Sequence, residues 1–108
     1  MPKPTQHGEI WWAEIDKRRP VAVASRSDGH GVRRQVTVAT ITTRIRGIPS
    51  EVALDDTDGL ASPSVVNCDD LATIEKVRLV RRIGRLSEAR VVDLHRALRF
   101  ALAIPQGN

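Results

Sequence analysis

Cysteine, long apolar runs and a secretion signal are scarce or missing in this chain, and each absence excludes a class of protein. The 108 residues include one cysteine, Cys68, so no disulfide can form within the chain, as is typical of a reducing compartment. No apolar run approaches the roughly 20 residues of a membrane span, and residues 1–7 contain no signal-peptide core. These absences predict a soluble, cytoplasmic protein with no membrane partner.

Metal ligands are equally sparse. One cysteine and three scattered histidines, at positions 7, 30 and 95, match none of the usual zinc-binding patterns. We therefore expect no metal site and no cofactor.

Aromatic residues make up only 3% of the chain, so Val, Ile, Leu and Ala must fill its core. The length predicts a single domain, residues 1–108, in which residues 1–7 form a polar, flexible tail. The adjacent Trp11 and Trp12 should point to opposite faces of a strand. We expect one of them in the core and the other at a surface used for protein contacts.

Hydrophobic periodicity predicts a mainly β fold. Alternating or β-branched segments indicate strands at residues 9–16, 21–24, 34–45, 51–54, 64–67 and 77–86. The last element differs, because Ser87 can cap a helix whose apolar residues recur at helical spacing until Pro105 ends it. Several short strands followed by one helix predict a small curled β-sheet or β-barrel with a C-terminal α-helix.

Two short segments carry the groups that handle a phosphodiester. The chain has a formal charge of +4, and 14 of its 17 basic residues are arginine, whose planar fork donates two hydrogen bonds to a phosphate. Lys17-Arg18-Arg19-Pro20 puts such forks at the start of one strand. Val38 to Arg44 puts a row of threonine hydroxyls on another strand. The basic balance indicates a nucleic acid or an acidic protein as partner, although a compositional bias of the genome also favours arginine.

Six short motifs follow one another in a recognisable order. They are Gly8-Glu9-Ile10-Trp11, Arg19-Pro20-Val21, Ile41-Thr42, Ser64-Val65-Val66-Asn67-Cys68-Asp69-Asp70, Leu71-Ala72-Thr73-Ile74-Glu75-Lys76 and Ile83-Gly84-Arg85-Leu86-Ser87. In order and spacing they resemble the MazF/PemK-type toxins, the ribonuclease half of bacterial toxin–antitoxin pairs. The resemblance covers residues 8–104, which we take as the toxin domain.

This resemblance implies an SH3-like barrel, a homodimer, and cleavage of single-stranded RNA at short sequences without a metal. It implies that Arg19 and Thr42 are catalytic. The RNA-binding residues that we infer from the resemblance and from their position are Arg18, Arg26, Thr43, Arg44, Asn67, Asp69 and Asp70. The implied partner is an acidic, partly disordered antitoxin that covers the same basic groove.

The chemistry that such a site performs uses the 2′-hydroxyl of RNA as nucleophile, so it excludes DNA. Attack on phosphorus gives a 2′,3′-cyclic phosphate and a 5′-hydroxyl, and a guanidinium such as that of Arg19 stabilises the developing charge. The general base is left open between Asp16 and His30. Many relatives carry Glu or Gln before the Arg-Pro pair and Arg where this chain has Ala72, and this chain lacks both groups.

Two other functions fit the same type of fold. One is a toxin of the CcdB type that inhibits DNA gyrase by binding it, which would not need Arg19 and Thr42. The other is a non-catalytic SH3-like module that binds RNA. Only an assay of cleavage separates this module from a nuclease.

Overall fold

The computed structural model describes residues 2–106. Over these residues the chain forms, in order, β1 (Glu9–Glu14), β2 (Arg18–Val23), β3 (Gln35–Thr42), β4 (Glu51–Leu54), a 3₁₀ turn (Asp56–Asp58), β5 (Ser64–Glu75), a second 3₁₀ turn (Lys76–Arg78), β6 (Leu79–Arg85) and α1 (Glu88–Ala101). The strands form one antiparallel sheet in the order β4-β5-β3-β2-β1-β6. In the described part of the chain, no helix is both long and apolar enough to cross a bilayer.

The sheet is curled, and apolar side chains pack on both of its faces. Because neighbouring residues of a strand point to opposite faces, Ile10 belongs to one cluster and Trp11 to the other. Helix α1 covers the first cluster through the buried Leu94 and Ala97. The prediction of a small curled β fold with a C-terminal helix is therefore confirmed.

Helix α1 begins as the sequence predicts. The Ser87 hydroxyl accepts a hydrogen bond from the Arg90 N–H, and Glu88 lies in the first turn, where a negative charge is favoured. The helix ends at Ala101, four residues before Pro105.

Strand β2 begins earlier than predicted, at Arg18 rather than Val21, so Pro20 lies inside the strand. A proline is tolerated there because β2 pairs at this point only with β1, through Trp12 opposite Pro20, while its pairing with β3 is confined to Val21–Val23. The first half of β2 therefore has one free edge, which faces the end of β3.

Strand β5 is the largest departure from the predicted boundaries. The predicted strand at residues 64–67 is only the first third of a twelve-residue strand. Its pairing with β3 jumps from Asn67 opposite Thr40 to Leu71 opposite Ala39, so residues 68–70 form a bulge. The polar Asp69 and Asp70 hid the continuity of the strand because they belong to this bulge.

The long strand predicted at residues 34–45 ends at Thr42, because the Thr42 hydroxyl accepts the Arg44 N–H and so turns the chain. The strand predicted at residues 77–86 begins at Leu79, after the second 3₁₀ turn. The strand predicted at residues 9–16 stops at Glu14.

The N-terminal segment, which we predicted to be a flexible tail, is held against the sheet in the residues that the structure describes. Thr5 is buried and exchanges two backbone hydrogen bonds with Asp28, of 3.1 and 2.7 Å. The Lys3 ammonium donates to the Leu79 carbonyl and lies 5.5 Å from the centre of the Trp11 ring. Polar composition suggested mobility, but these contacts tie the segment down.

The same region contains a buried ion pair. Lys76 is almost fully buried, and its Nζ lies 2.6 Å from Oδ2 of Asp28. Asp28 also accepts the backbone N–H groups of Val32 and Arg33, so its carboxylate organises the loop between β2 and β3. These donors, the Lys76 ammonium first, hold the pKa of Asp28 well below its usual range.

Replacing Lys76 by Met should destabilise the fold, because it leaves the partly buried Asp28 carboxylate without its counter-charge. We expect the midpoint of urea denaturation to fall below that of the wild type. The double variant Asp28→Asn/Lys76→Met should recover part of the loss. A single variant as stable as the wild type would show that the pair does not hold the loop.

A pair of histidines joins the N-terminal segment to α1. The Nε2 atoms of His7 and His95 lie 2.9 Å apart, and the two rings stack with centroids 5.1 Å apart. His7 Nδ1 donates to the Ser25 carbonyl at 3.2 Å. Burial lowers the pKa of His95, and the nearby charges of His7 and Arg99 lower it further.

This pair should make stability depend on pH below neutrality. The folded chain binds the His95 proton less readily than the unfolded chain. The free energy of unfolding is therefore unaffected by this group above the ordinary pKa of 6.5, and it decreases as the pH falls below that value. We expect the melting temperature to drop between about pH 7.5 and pH 5.5, and the drop to shrink in His95→Gln. An equal drop in wild type and variant, followed by circular dichroism, would exclude this pair as its source.

Candidate active site

Arg19 and Thr42 meet where β2 and β3 separate. The β2–β3 ladder stops at Val21 opposite Thr40, while β3 continues to Thr42 with β5 as its partner. Extending the ladder by two residues places Arg19 opposite Thr42. Since no further hydrogen bonds close the sheet there, the two strands leave a gap at this end, and both side chains line it.

The Thr42 hydroxyl is oriented by its own turn. Its oxygen accepts the backbone N–H of Arg44 at 3.1 Å. A hydroxyl that accepts in this way keeps its hydrogen to donate. Thr42 can therefore offer an O–H to a phosphate oxygen in the gap.

The Arg19 guanidinium is held by Asp16. Its Nε and one terminal nitrogen donate to the two Asp16 oxygens at 2.9 and 3.1 Å. A guanidinium has five N–H donors, so three stay available to an anion. The hydrogen bonds from Arg19 lower the pKa of Asp16 to about 2. In return, Asp16 and the more distant Asp70 raise the pKa of Arg19.

Two clefts meet at this pair. The first, which we call the tryptophan cleft, has a volume of about 470 Å³ and combines apolar walls with four cationic side chains. Its lining comprises Trp12, Lys17, Arg18, Arg19, Pro20, Ile41, Thr42, Thr43, Gly59, Leu60, Ala61, Ser62, Ser64, Arg81 and Ile83. No acidic side chain appears in this lining.

The second, which we call the asparagine cleft, has a volume of about 300 Å³ and is lined by polar and charged groups: Arg19, Thr40, Thr42, Arg44, Arg46, Asn67 and Asp70. The bulge in β5 turns Asp70 toward the cleft, where its Oδ2 accepts the Thr40 hydroxyl at 2.8 Å. The Asn67 oxygen accepts the Asp69 N–H at 3.0 Å. One oxygen of Asp70 and the NH₂ of Asn67 are thereby left for a ligand.

Seven of the eleven predicted site residues line these clefts. Asp16 lines neither cleft but contacts Arg19, and the other three lie apart. Asp69 lines neither cleft, and its carboxylate accepts the Ser50 hydroxyl at 2.6 Å. Arg26 and His30 are exposed on the loop after β2, at the end opposite to Arg19. The structure thus brings Asp16, but not His30, next to Arg19.

Among the lining residues that the sequence analysis did not predict as site residues are three cations and one tryptophan. Lys17 lay within the basic segment without a role, and Trp12 was expected at a protein-contact surface. Arg46 follows the threonine strand and is held by Glu51, 3.6 Å from its Nε. Arg81 enters from β6, on the far side of β1, and only the strand order reveals this neighbourhood.

The metal-ligating and thiol side chains among the described residues, and one further cleft, do not provide a second site of this kind. No group of three His, Cys, Asp or Glu side chains within residues 2–106 is arranged to hold a metal ion. Cys68 is buried in the β5 bulge, and its burial raises its pKa to about 11. A further cleft of about 490 Å³, beside Lys3, Arg34 and Lys76, contains none of the predicted site residues.

The fold and site define a class: a small curled β-sheet protein with a C-terminal helix and a cationic groove for an anionic chain. Comparison with known proteins makes the class specific. Residues 6–102 match the family described as PemK-like, MazF-like toxin of type II toxin–antitoxin systems. The chain belongs to this family.

Mycobacterium tuberculosis supplies several relatives. The chain is 40% identical over 98 residues to the probable endoribonuclease MazF5, covering 88% of this chain and 90% of that protein. It is 46% identical over 74 residues to the endoribonuclease MazF3, covering 68% and 72%. Among solved structures, the toxin MazF-mt6 superposes with a TM-score of 0.86 at 39% identity, covering 91% of this chain and 99% of that one. A mycobacterial endoribonuclease in complex with its cognate antitoxin gives 0.85 at 25% identity, covering 95% and 99%.

Proposed function

We propose that this chain is the toxin of a toxin–antitoxin pair and a sequence-specific endoribonuclease that works in the cytoplasm as a homodimer. Its substrate is single-stranded RNA, whose cleavage inhibits translation and growth. The observation that carries the proposal is the meeting of Arg19 and Thr42 at the junction of two clefts. The names of the relatives, endoribonuclease MazF5 and MazF3, support the same reaction.

The scissile phosphate binds between Arg19 and Thr42. The three free N–H donors of Arg19 and the Thr42 hydroxyl stabilise the charge that develops on the non-bridging oxygens. The 2′-hydroxyl attacks phosphorus and loses its proton to solvent water, the bond to the 5′-oxygen breaks, and that oxygen takes a proton from solvent water. The products are a 2′,3′-cyclic phosphate and a 5′-hydroxyl. The guanidinium supplies the positive charge, so the proposed reaction requires no metal or cofactor.

No single side chain acts as a dedicated general base in this reaction. Asp16 is the carboxylate hydrogen-bonded to Arg19, but a group with a pKa of about 2 is a weak base, and both its oxygens face Arg19. The other carboxylate, Asp70 of the asparagine cleft, already accepts the Thr40 hydroxyl. His30 lies on the distant loop. The site therefore acts mainly by positioning the reactants and by electrostatic stabilisation.

The two clefts bind the nucleotides on either side of that phosphate. In the asparagine cleft, the Asn67 amide and the free Asp70 oxygen can hydrogen-bond base edges, while Arg44 can contact the backbone. Arg18 and Thr43 line the other side. An acidic antitoxin segment would occupy the same cationic groove and exclude RNA. The antitoxin complex of the mycobacterial neighbour supports a partner of this kind.

Mutation of the pair should abolish most cleavage. In buffer with EDTA, Arg19→Ala should cut a defined RNA roughly 100- to 1,000-fold more slowly than wild type, since it removes the preorganised donors. Thr42→Ala should also be slow, whereas Thr42→Ser keeps the hydroxyl and should stay near wild type. Mapping of both product ends should give the cyclic phosphate and the 5′-hydroxyl.

Arg34→Ala is the matched control, because this exposed arginine precedes β3 at the end opposite to Thr42. It should cut at the wild-type rate. Wild-type rates in both Arg19→Ala and Thr42→Ala would refute the site, and 5′-phosphate ends would refute the mechanism. Tight RNA binding without any cleavage would favour the non-catalytic module.

The role of Asp16 can be tested by its pH signature. If Asp16 only orients Arg19, Asp16→Asn should lower the rate roughly 10- to 100-fold at every pH without changing the shape of the pH–rate profile. If Asp16 were the general base, the variant would instead lose the fall in rate on the acidic side of the pH–rate profile. Rates measured from about pH 5 to pH 9 under single-turnover conditions distinguish the two outcomes.

A further inference from the structure

Trp12 and its neighbour Trp11 lie in different surroundings. Trp11 is buried in the second core cluster, whereas Trp12 is partly exposed and lines the tryptophan cleft. Trp12 pairs across the sheet with Pro20 on one side and Arg81 on the other. The ring therefore lies between a rigid apolar wall and a cation.

The charges around this ring favour an anionic ligand. Lys17, Arg18 and Arg81 line the cleft with it, and no acidic residue is part of the lining. Arg18 is paired with Glu14, but neither Lys17 nor Arg81 takes part in an ion pair among the residues that the structure describes. An aromatic ring flanked by cations in a groove is the arrangement that binds single-stranded nucleic acid by stacking its bases.

The position of the cleft limits what can fill it. The tryptophan cleft shares Arg19 and Thr42 with the asparagine cleft. If a phosphate of an RNA chain lies between Arg19 and Thr42, the two nucleotides that it joins must enter the two clefts, one in each, because they are covalently linked. The nucleotide on the Trp12 side meets a ring and aliphatic walls, including Ile41, Leu60 and Ile83.

We propose that Trp12 is a base-stacking platform for the nucleotide on one side of the cut, and that this side adds affinity without choosing the base. Stacking tolerates any base because each has a π-face, whereas discrimination needs hydrogen bonds to base edges. Asn67 and Asp70 offer such bonds on the other side of the pair. Sequence preference is thus set in the asparagine cleft. This inference rests on the proposed function.

Fluorescence tests the stacking without requiring catalysis. The chain has two tryptophans, one buried and one in the cleft, so a stacked base should quench the signal of Trp12. The probes are short single-stranded oligodeoxynucleotides of several sequences, which carry bases and phosphates but no 2′-hydroxyl to attack. We expect quenching by every sequence in wild type and none in Trp12→Phe. The fluorescence anisotropy of labelled oligonucleotides should show about tenfold weaker binding in Trp12→Leu than in Trp12→Phe. Thermal melting verifies that each variant is folded.

Cleavage of RNA then tests the division between the clefts. Trp12→Leu should raise KM about tenfold while cutting the same sequences, and Trp12→Phe should restore KM. Asn67→Ala should instead change which sequences are cut. Altered cut sites in Trp12→Leu, or wild-type affinity and KM in that variant, would overturn the proposal.

Two outcomes distinguish a failure of the stacking proposal from a failure of the proposed nuclease function. Quenching by oligonucleotides in a protein that cuts no RNA would keep the stacking platform and refute the nuclease. Normal cleavage and oligonucleotide binding by Trp12→Leu, with lost affinity for the antitoxin, would assign the cleft to the protein partner and refute the platform alone.

Discussion

The site depends on where one hydrogen-bonded ladder stops. Strands β2 and β3 pair over three residues, and beyond Val21 and Thr40 each continues with a different neighbour. Pro20, which has no N–H to donate, sits at the point where the ladder ends. A fully paired sheet would direct Arg19 and Thr42 to a flat surface. The early end of the ladder separates the strands, opens two clefts and leaves both side chains at their junction.

The sequence predicted the kinds of elements better than their limits. Alternation and the Ser87 cap were sufficient for a curled β fold with one helix, because both signals are local. The length of β5 was not predictable, since its bulge places two aspartates where a strand pattern requires apolar residues. Thr5 escaped for a similar reason: its burial depends on Asp28, which lies far along the chain and is itself held by Lys76.

The site shows the same division between local and distant information. Arg19 and Thr42 were nominated from motifs, and the structure brings them to one gap. Arg81 could not be placed beside them without the strand order, because β6 joins the sheet next to β1 and not next to β5. His30 and Arg26 were plausible by residue type alone. Their loop lies at the other end of β2, which no local pattern could reveal.

The pairing of Arg19 with Asp16 explains why a recognisable site lacks a recognisable base. An exposed ion pair of this kind adds little to stability, so its effect is to orient the guanidinium. Two of the five N–H donors of Arg19 bind Asp16. These two hydrogen bonds fix the guanidinium plane and leave three N–H groups for the phosphate. The same contact that fixes the cation lowers the basicity of the carboxylate. One residue cannot serve well as both anchor and base, and the short turn between β1 and β2 provides no second carboxylate. In the proposed mechanism, electrostatic positioning therefore contributes more than proton transfer.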